Sequence, residues 1–432
     1  MTTLILGGGI AGLSLAYFLD DPSIIFEKEA QVGGLCRSFS CQGIWYDVGP
    51  HIMFSKNKEI LDFHTSLVET NVIRRSNKIL HKGKFVKYPF ENDLASLDPE
   101  ERDYCLKEFL NNPYEQYEAK NMLQFFLKTF GEGITRLYLQ PYNEKIWKFD
   151  PSLLDTQMVE RIPKPPQEDV IKSAQGIATE GYQHQLHFHY PRAGGFQSVI
   201  DAYQEKIKDK AQIIAPVQLQ KIEKIEKVQT GWKIHADQGI FFGERLVNCM
   251  PLPELVKCLD APPEVLQALQ QLKYNSIYII IVQARKDNLG DNFSLNIADK
   301  EILFHRLNKL NFLGESYCLP GGGSTLLLEV TYRPESYLAS LSADEIKQRV
   351  ISDLEKLNLV QAKDVQQVEL RSFHYAYVIH DLNHKKNTGI VLNYLESQGI
   401  PSVGRFAEFQ YMNSDQVVEK TQNLAKRLNA SA

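Results

Sequence analysis

Residues 2 to 28 open with Thr2-Thr3-Leu4-Ile5-Leu6-Gly7-Gly8-Gly9-Ile10-Ala11-Gly12 and close with Ser23-Ile24-Ile25-Phe26-Glu27-Lys28. The order is strand, glycine turn, helix, strand and terminal acid. Gly7 permits a tight turn out of the first strand, Gly9 lets backbone approach a pyrophosphate, and Gly12 lets the helix pack close to the sheet. Ile10 and Ala11 start that helix, so its N-terminal N–H groups face the phosphates. Glu27 ends the second strand, where an acid accepts hydrogen bonds from a ribose diol. The pattern predicts a nucleotide-binding βαβ unit; its bland alternative is a glycine-rich turn with no ligand.

A second glycine pair follows at once in Gly33-Gly34-Leu35-Cys36-Arg37, offering unhindered backbone and a guanidinium suited to phosphate oxygens. Together with Glu27-Lys28 it resembles FAD-binding oxidases and mutases of the amine oxidase type. The resemblance implies FAD rather than a nicotinamide dinucleotide. An ordinary turn is the competing reading of the two glycines.

With 432 residues, the chain has ample length for two intertwined domains and a well-filled interior. Hydrophobic content of 43% and charged content of 23% are those of a globular protein. A net charge of −5 gives no electrostatic reason to expect nucleic acid. The longest apolar stretch, Ile277 to Val282, is the length of a buried strand, so no membrane span is expected. A first strand at Thr2 or Thr3 leaves no room for a signal peptide ahead of it. Six cysteines without C-x-x-C or histidine pairing read as reduced thiols of a cytoplasmic protein, with no metal site.

The pattern along the chain predicts an α/β fold. It is a Rossmann-like FAD-binding domain, discontinuous and entered at both chain ends, with a helical insertion and a second, substrate-covering sheet domain. Residues 1–55, 190–265 and 376–432 make the FAD-binding domain, 56–189 the mostly helical insertion, and 266–375 the sheet domain. A basic hairpin-like piece, His81 to Phe90, interrupts the insertion. Strands are expected at 213–214, 217–225, 231–236, 246–248, 276–284, 325–331 and 367–373, a helix near 342–357, and a final helix from about Asn413-Ser414-Asp415.

Further stretches are similar to the UDP-galactopyranose mutase family, and they occur in that family's order along nearly the whole chain. They include Tyr46-Asp47-Val48-Gly49-Pro50-His51, Tyr88-Pro89-Phe90-Glu91-Asn92, Leu139-Gln140-Pro141-Tyr142-Asn143-Glu144-Lys145-Ile146-Trp147 and Glu160-Arg161-Ile162-Pro163. Tyr190-Pro191-Arg192-Ala193-Gly194-Gly195, Leu328-Glu329-Val330, Ala376-Tyr377 and Val403-Gly404-Arg405-Phe406 complete the set. The resemblance implies that Gly49, Pro50 and His51 lie near the flavin ring, and that Gly404 and Arg405 sit by the pyrophosphate and ribityl chain. It places the N-terminus of the final helix, at Asn413 and Ser414, toward the flavin, and Val217 at the adenine. Arg161 and Arg306 match two arginines that grip a nucleotide diphosphate, while Tyr142, Asn143, Trp147, Glu329, Tyr377 and Tyr411 match positions lining the sugar and uridine pocket. Three departures touch the phosphate-facing donors: Phe312 stands where the family has a tyrosine, Gln410 where it has an arginine, and the stretch Met412 to Asp415 is shortened.

By that resemblance the enzyme isomerises a nucleoside diphosphate sugar between pyranose and furanose forms. Reduced flavin N5 is the nucleophile, forming a sugar adduct and leaving no net redox change, and His51, Arg161 and Arg306 are the catalytic candidates. A flavin oxidoreductase of the protoporphyrinogen or amine oxidase type, acting by hydride transfer, shares the cofactor motifs without needing two arginines to converge. A flavoprotein fold that has become a binding partner is a third reading, opposed by the intact pattern from Gly7 to Arg37. For each aromatic the alternative is core packing, for His51 a structural histidine, and for each arginine an ion pair.

Overall fold

The computed structural model describes residues 1–159, 162–181, 186–216 and 224–431. The apolar tetrads Thr3–Leu6 and Ser23–Phe26 pair in parallel at the centre of a four-stranded sheet, flanked by Arg245–Asn248 and Ala211–Ile214. Alternation divides their side chains. Ile5 and Ile25 face a layer that includes helices Ile10–Phe18, Gln197–Ile207 and Ser414–Ala430, whereas Leu4, Leu6 and Phe26 face the opposite side. There a three-stranded antiparallel sheet (Lys224–Val228, Gly231–Ala236, Gly239–Gly243) packs with helices Pro263–Gln271 and His384–Gln398. The sequence reading places a strand over 217–225, most of which lies outside the described residues.

Gly7 leaves the first strand at φ 105°, a conformation that suits a residue without Cβ. A Cβ on Gly12 would stand 2.0 Å from the Gly7 carbonyl oxygen, so the helix approaches the turn as closely as backbone allows. The last helix closes the layer: Ser14 Oγ lies 2.9 Å from Thr421 Oγ1, both fully buried.

The second sheet has seven strands in the order Val365–Ile379, Lys273–Ala284, Ser324–Tyr332, Arg306–Lys309, Ser294–Ile297, Asn77–His81 and Lys84–Lys87. The apolar runs in Lys273–Ala284 and Ser324–Tyr332 are near-continuous because both faces are covered. Ile280, Val282, Leu326 and Leu328 pack with helix Ala343–Lys356, while Ile277, Ile279, Ile281 and Leu327 meet Tyr46, Phe188 and Tyr190 on the other side. Ser342 and Glu345 form a capping box at the start of that helix, where the sequence places it.

Short strands interrupt the helices of the insertion. Thr70–Arg74 pairs with His187–Pro191, and the basic hairpin Asn77–His81 and Lys84–Lys87 extends the seven-stranded sheet by a parallel pairing with Ser294–Ile297. These strands are short and border polar turns, so their local pattern does not show the partner strand more than 200 residues away that fixes them. The helical remainder forms its own core around Phe90, Phe126, Phe130 and Tyr138.

Gly12→Ala is expected to destabilise the protein by about 1–3 kcal/mol, because the added methyl meets backbone rather than a movable side chain. Chemical denaturation would reveal it. An unchanged midpoint would mean that the helix can retreat from the turn without cost.

Candidate functional site

The two glycine loops close on each other. Gly33 N–H donates to the Gly8 carbonyl at 2.8 Å, and a Cβ on Gly34 would lie 3.3 Å from Gly9 Cα. A Cβ on Gly9 would meet nothing nearer than 3.9 Å. Helix Ile10–Phe18 starts at Gly9 with no side-chain cap and no acid in its first turn, so its N-terminal donors are not claimed by a side-chain cap. Glu27, 7% exposed, accepts from the backbone N–H of Gly8 and of Glu29, each at 2.9 Å, while burial raises its pKa. Bare backbone, a free helix N-terminus and a fixed carboxylate at the end of the second strand together fit a dinucleotide.

Neighbouring candidates fall in less direct places. Arg37 folds back so that Nε donates to the Gly34 carbonyl at 3.0 Å, Leu35 packs against the core beneath the sheet, and Lys28 is exposed. Gly404 sits over the first helix, its absent Cβ 3.0 Å from that of Ala11. The Arg405 guanidinium donates to the Met412 carbonyl through Nε (2.8 Å) and Nη2 (2.6 Å), and to the Ala376 carbonyl through Nη1 (3.3 Å). All three nitrogens are thus engaged by backbone, and Arg405 acts as a clasp between the strand bearing Tyr377 and the turn ahead of the final helix. Val217 lies outside the described residues.

Gly49, Pro50, His51, Arg405, Asn413 and Ser414 line one side of a cavity of about 930 Å³. Asp47 holds this loop in place. Its buried carboxylate accepts from Ser38 Oγ (2.6 Å), Tyr190 Oη (2.7 Å), Phe196 N–H (3.0 Å) and His51 N–H (3.3 Å). Burial lowers the His51 pKa and keeps the ring neutral, with Nδ1 buried and unbonded among the described residues. The final helix begins at Asn413, whose N–H donates to Gln416 Oε1 at 3.0 Å, so the chain enters the cavity wall at a helix N-terminus.

The opposite side of the cavity is aromatic. Helix Met122–Ile134 is interrupted at Gly131 (φ 74°) and runs into a π-helical turn, Thr135–Leu139, before helix Gln140–Trp147. That irregular turn carries Tyr138, which stacks on Phe90 (5.1 Å) and on Tyr142 (5.3 Å), and both tyrosine hydroxyls bond to Asn296. Trp147 sets its edge against Tyr377 (5.6 Å, 85°) and Tyr411 (6.0 Å, 88°), which stack on each other at 16°. Asn143 lines the cavity, but its amide is engaged within its own helix, donating to the Leu139 carbonyl and accepting from Trp147 Nε1.

Arg306 and Glu329 are register partners on adjacent strands, and they meet as a bidentate pair with both N···O distances 2.6 Å. Glu329 has no exposed surface and also accepts from Asn308 Nδ2 at 3.1 Å. Burial works against the charge on Arg306, but Glu329 outweighs it and holds the guanidinium well above its usual pKa. Arg306 therefore reaches the cavity already paired, so the ion-pair alternative is realised in the wall itself. Arg161 lies outside the described residues. Besides Arg306 and the carbonyl-bound Arg405, the described residues bring the guanidinium of Arg75 to this cavity. Sequence reading passed over Arg75, Asn308 and Asn296 because no motif surrounds them, and it overlooked Tyr138, whose i, i+4 spacing to Tyr142 was available as a signal.

The family described as flavin containing amine oxidoreductase matches residues 10–386. The fold is similar to that of reduced UDP-galactopyranose mutase, with a TM-score of 0.89 at 22% identity over 100% of this chain and 94% of that one. It is similar to an Exiguobacterium protein assigned as a protoporphyrinogen oxidase (TM-score 0.77, 17% identity, 100% and 99% covered). Cyclohexylamine oxidase from Brevibacterium oxydans gives a TM-score of 0.67 at 16% identity, with 100% and 99% covered. At these identities the likenesses show the fold.

Glu91, 4% exposed in the wall of the cavity, has its pKa pushed up to about 7 by burial. An unfolded glutamate releases its proton near about 4.3. Between those values the unfolded chain has lost the proton that the folded chain keeps, so stability falls as pH rises through the window and levels off above it. Glu91→Gln is expected to remove this decline, gaining on the order of 3 kcal/mol over wild type at pH 8 and nothing at pH 4. Denaturation midpoints at the two pH values test the sign.

Proposed function

The chain belongs to the flavin-containing amine oxidoreductases, and within that family we propose that it is an FAD-dependent sugar-nucleotide mutase acting on a nucleoside diphosphate sugar. One observation carries the reading: Tyr142, Trp147, Arg306, Tyr377 and Tyr411 converge with Gly49, Pro50, His51, Asn413 and Ser414 on a single cavity. Its volume is in the range of ligand sites. Residues 1–55, 190–265 and 376–432 serve the cofactor in this reading, and 266–375 cover the substrate. The six cysteines are all unpaired, which supports a cytoplasmic setting.

Gly7, Gly9, Gly12 and the N-terminus at Ile10 and Ala11 would hold the pyrophosphate. Glu27 would take the ribose hydroxyls, and Gly33, Gly34 and Gly404 would leave room for backbone approach. A bound flavin supplies a nucleophile in the mutase reading and a hydride acceptor in the oxidoreductase reading. The N-terminal end of helix Ser414–Ala430 favours negative charge developing beside it. His51, neutral and with a free Nδ1, can hold or accept a proton at the mouth of the loop. The aromatic walls exclude water and offer faces for a planar base or a sugar ring, and Arg306 keeps Nη1 for an anion beside Glu329.

A specific observation favours the oxidoreductase alternative as a second reading. The charge of Arg306 is already matched by Glu329, and the box of Trp147, Tyr377 and Tyr411 is chemistry that suits an amine.

Purified protein is expected to be yellow, and UDP-galactose is expected to protect the dithionite-reduced form from thermal unfolding. A ligand at one hundred times its Kd adds about 2.7 kcal/mol. Reduced protein indifferent to nucleoside diphosphate sugars, together with turnover of amines or porphyrinogens, would replace the mutase reading with the oxidoreductase one.

A further inference from the structure

The Arg306–Glu329 pair backs directly onto the Gly49 turn. A Cβ on Gly49 would lie 3.4 Å from Glu329 Oε2, and the next nearest atoms belong to the same carboxylate, which forms the floor under that turn. Three N–H donors from Arg306 and Asn308 hold the carboxylate, which has no exposure to water. The ring of His305 stands behind it, 3.9 Å away, and burial keeps that imidazole uncharged. Tyr142 and Tyr377 face the pair as neutral phenols, their pKa values raised by burial. The other charges around this loop are the buried carboxylate of Asp47, which accepts from His51 N–H, and the guanidinium groups of Arg75 and Arg405, the latter bonded to carbonyls. Those groups stay as they are when the pair is altered, so the change in charge beneath Gly49 follows from one balance: whether Glu329 is present to match Arg306.

We infer that Glu329 is a positioning residue that sets the reduction midpoint of the flavin by neutralising Arg306 beneath the Gly49 turn. The inference rests on the reading that the flavin ring lies against Gly49, Pro50 and His51. Two-electron reduction, with dithionite as the electron source, adds negative charge to the ring. An unbalanced guanidinium in a water-poor wall stabilises the reduced form and raises the midpoint, whereas an unbalanced carboxylate does the reverse. The two halves of the pair thus act with opposite sign, and a merely structural role has no reason to show that antisymmetry.

The test is a reductive titration of the flavin-loaded protein against a reference dye. At the wild-type midpoint, Glu329→Gln is expected to raise the reduced-to-oxidised ratio at least tenfold, about 30 mV upward for a two-electron couple. Arg306→Gln is expected to lower it by a similar factor, and the double variant, which leaves two neutral amides, to return within threefold of wild type. Single variants that stay within threefold of wild type, or that both move the same way, would overturn the inference while leaving flavin binding intact. Should one single variant fail to hold flavin, the other must still differ tenfold from the double variant; should both fail, a double variant displaced tenfold from wild type refutes the idea. Wild-type protein that takes up no flavin would sink the underlying reading, and this inference with it.

Discussion

The approach of helix Ile10–Phe18 to the turn after the first strand is the constraint on which the remaining architecture rests. At Gly12 backbone nearly touches backbone, and that contact aims the N-terminal N–H groups past Gly9 into open space. The second glycine loop then docks on the first through Gly33 and Gly8, and the Gly404 segment lies over Ala11. Gly34 meets Gly9, and Gly404 meets Ala11 in the first turn of the helix, at distances that a side chain on either glycine would crowd. A fold built this way trades local rigidity for access: it leaves main chain exposed where a phosphate can replace water.

The large sheet plays the complementary part. Covered on both faces, it is a stiff wall from which Arg306, Asn308 and Glu329 project at fixed register. The aromatic helices stand opposite, docked by Asn275, whose Nδ2 donates to the carbonyls of Ile146 and Trp147 at 3.2 and 2.6 Å. Asn275 also pairs with Tyr377 beside a register shift between strands, so one buried amide relates two sides of the aromatic box. The Arg405 clasp joins this box to the turn leading into the final helix. The two walls of the cavity are therefore mechanically continuous.

How much of this was legible depended on whether a residue's role is local. The βαβ unit, its glycines and Glu27 could be read because strand, turn and helix follow one another within 28 residues. The capped helix at 343–356 and the long strands were legible from period and length for the same reason. Strand Asn77–His81 was not, because its partner is Ser294–Ile297, nor was helix His384–Gln398, whose polar sequence shows no clear apolar stripe. In the site, motif resemblance named Tyr142, Trp147, Tyr377 and Tyr411, which line one cavity. It could not show that Arg306 arrives bonded to Glu329, or that Arg405 turns to carbonyls, because both depend on which strand or turn lies alongside. Arg75 carried no sequence signal at all.

The contact between Ser14 and Thr421 spans 407 residues. The first βαβ unit is made long before the helix that covers its apolar face, Ser414–Ala430. Until that helix emerges, the nascent polypeptide carries a greasy surface uncovered, together with a central strand whose neighbour Arg245–Asn248 is made about 240 residues after it. Such a long wait for a cover leaves the early-made layer open to aggregation during synthesis.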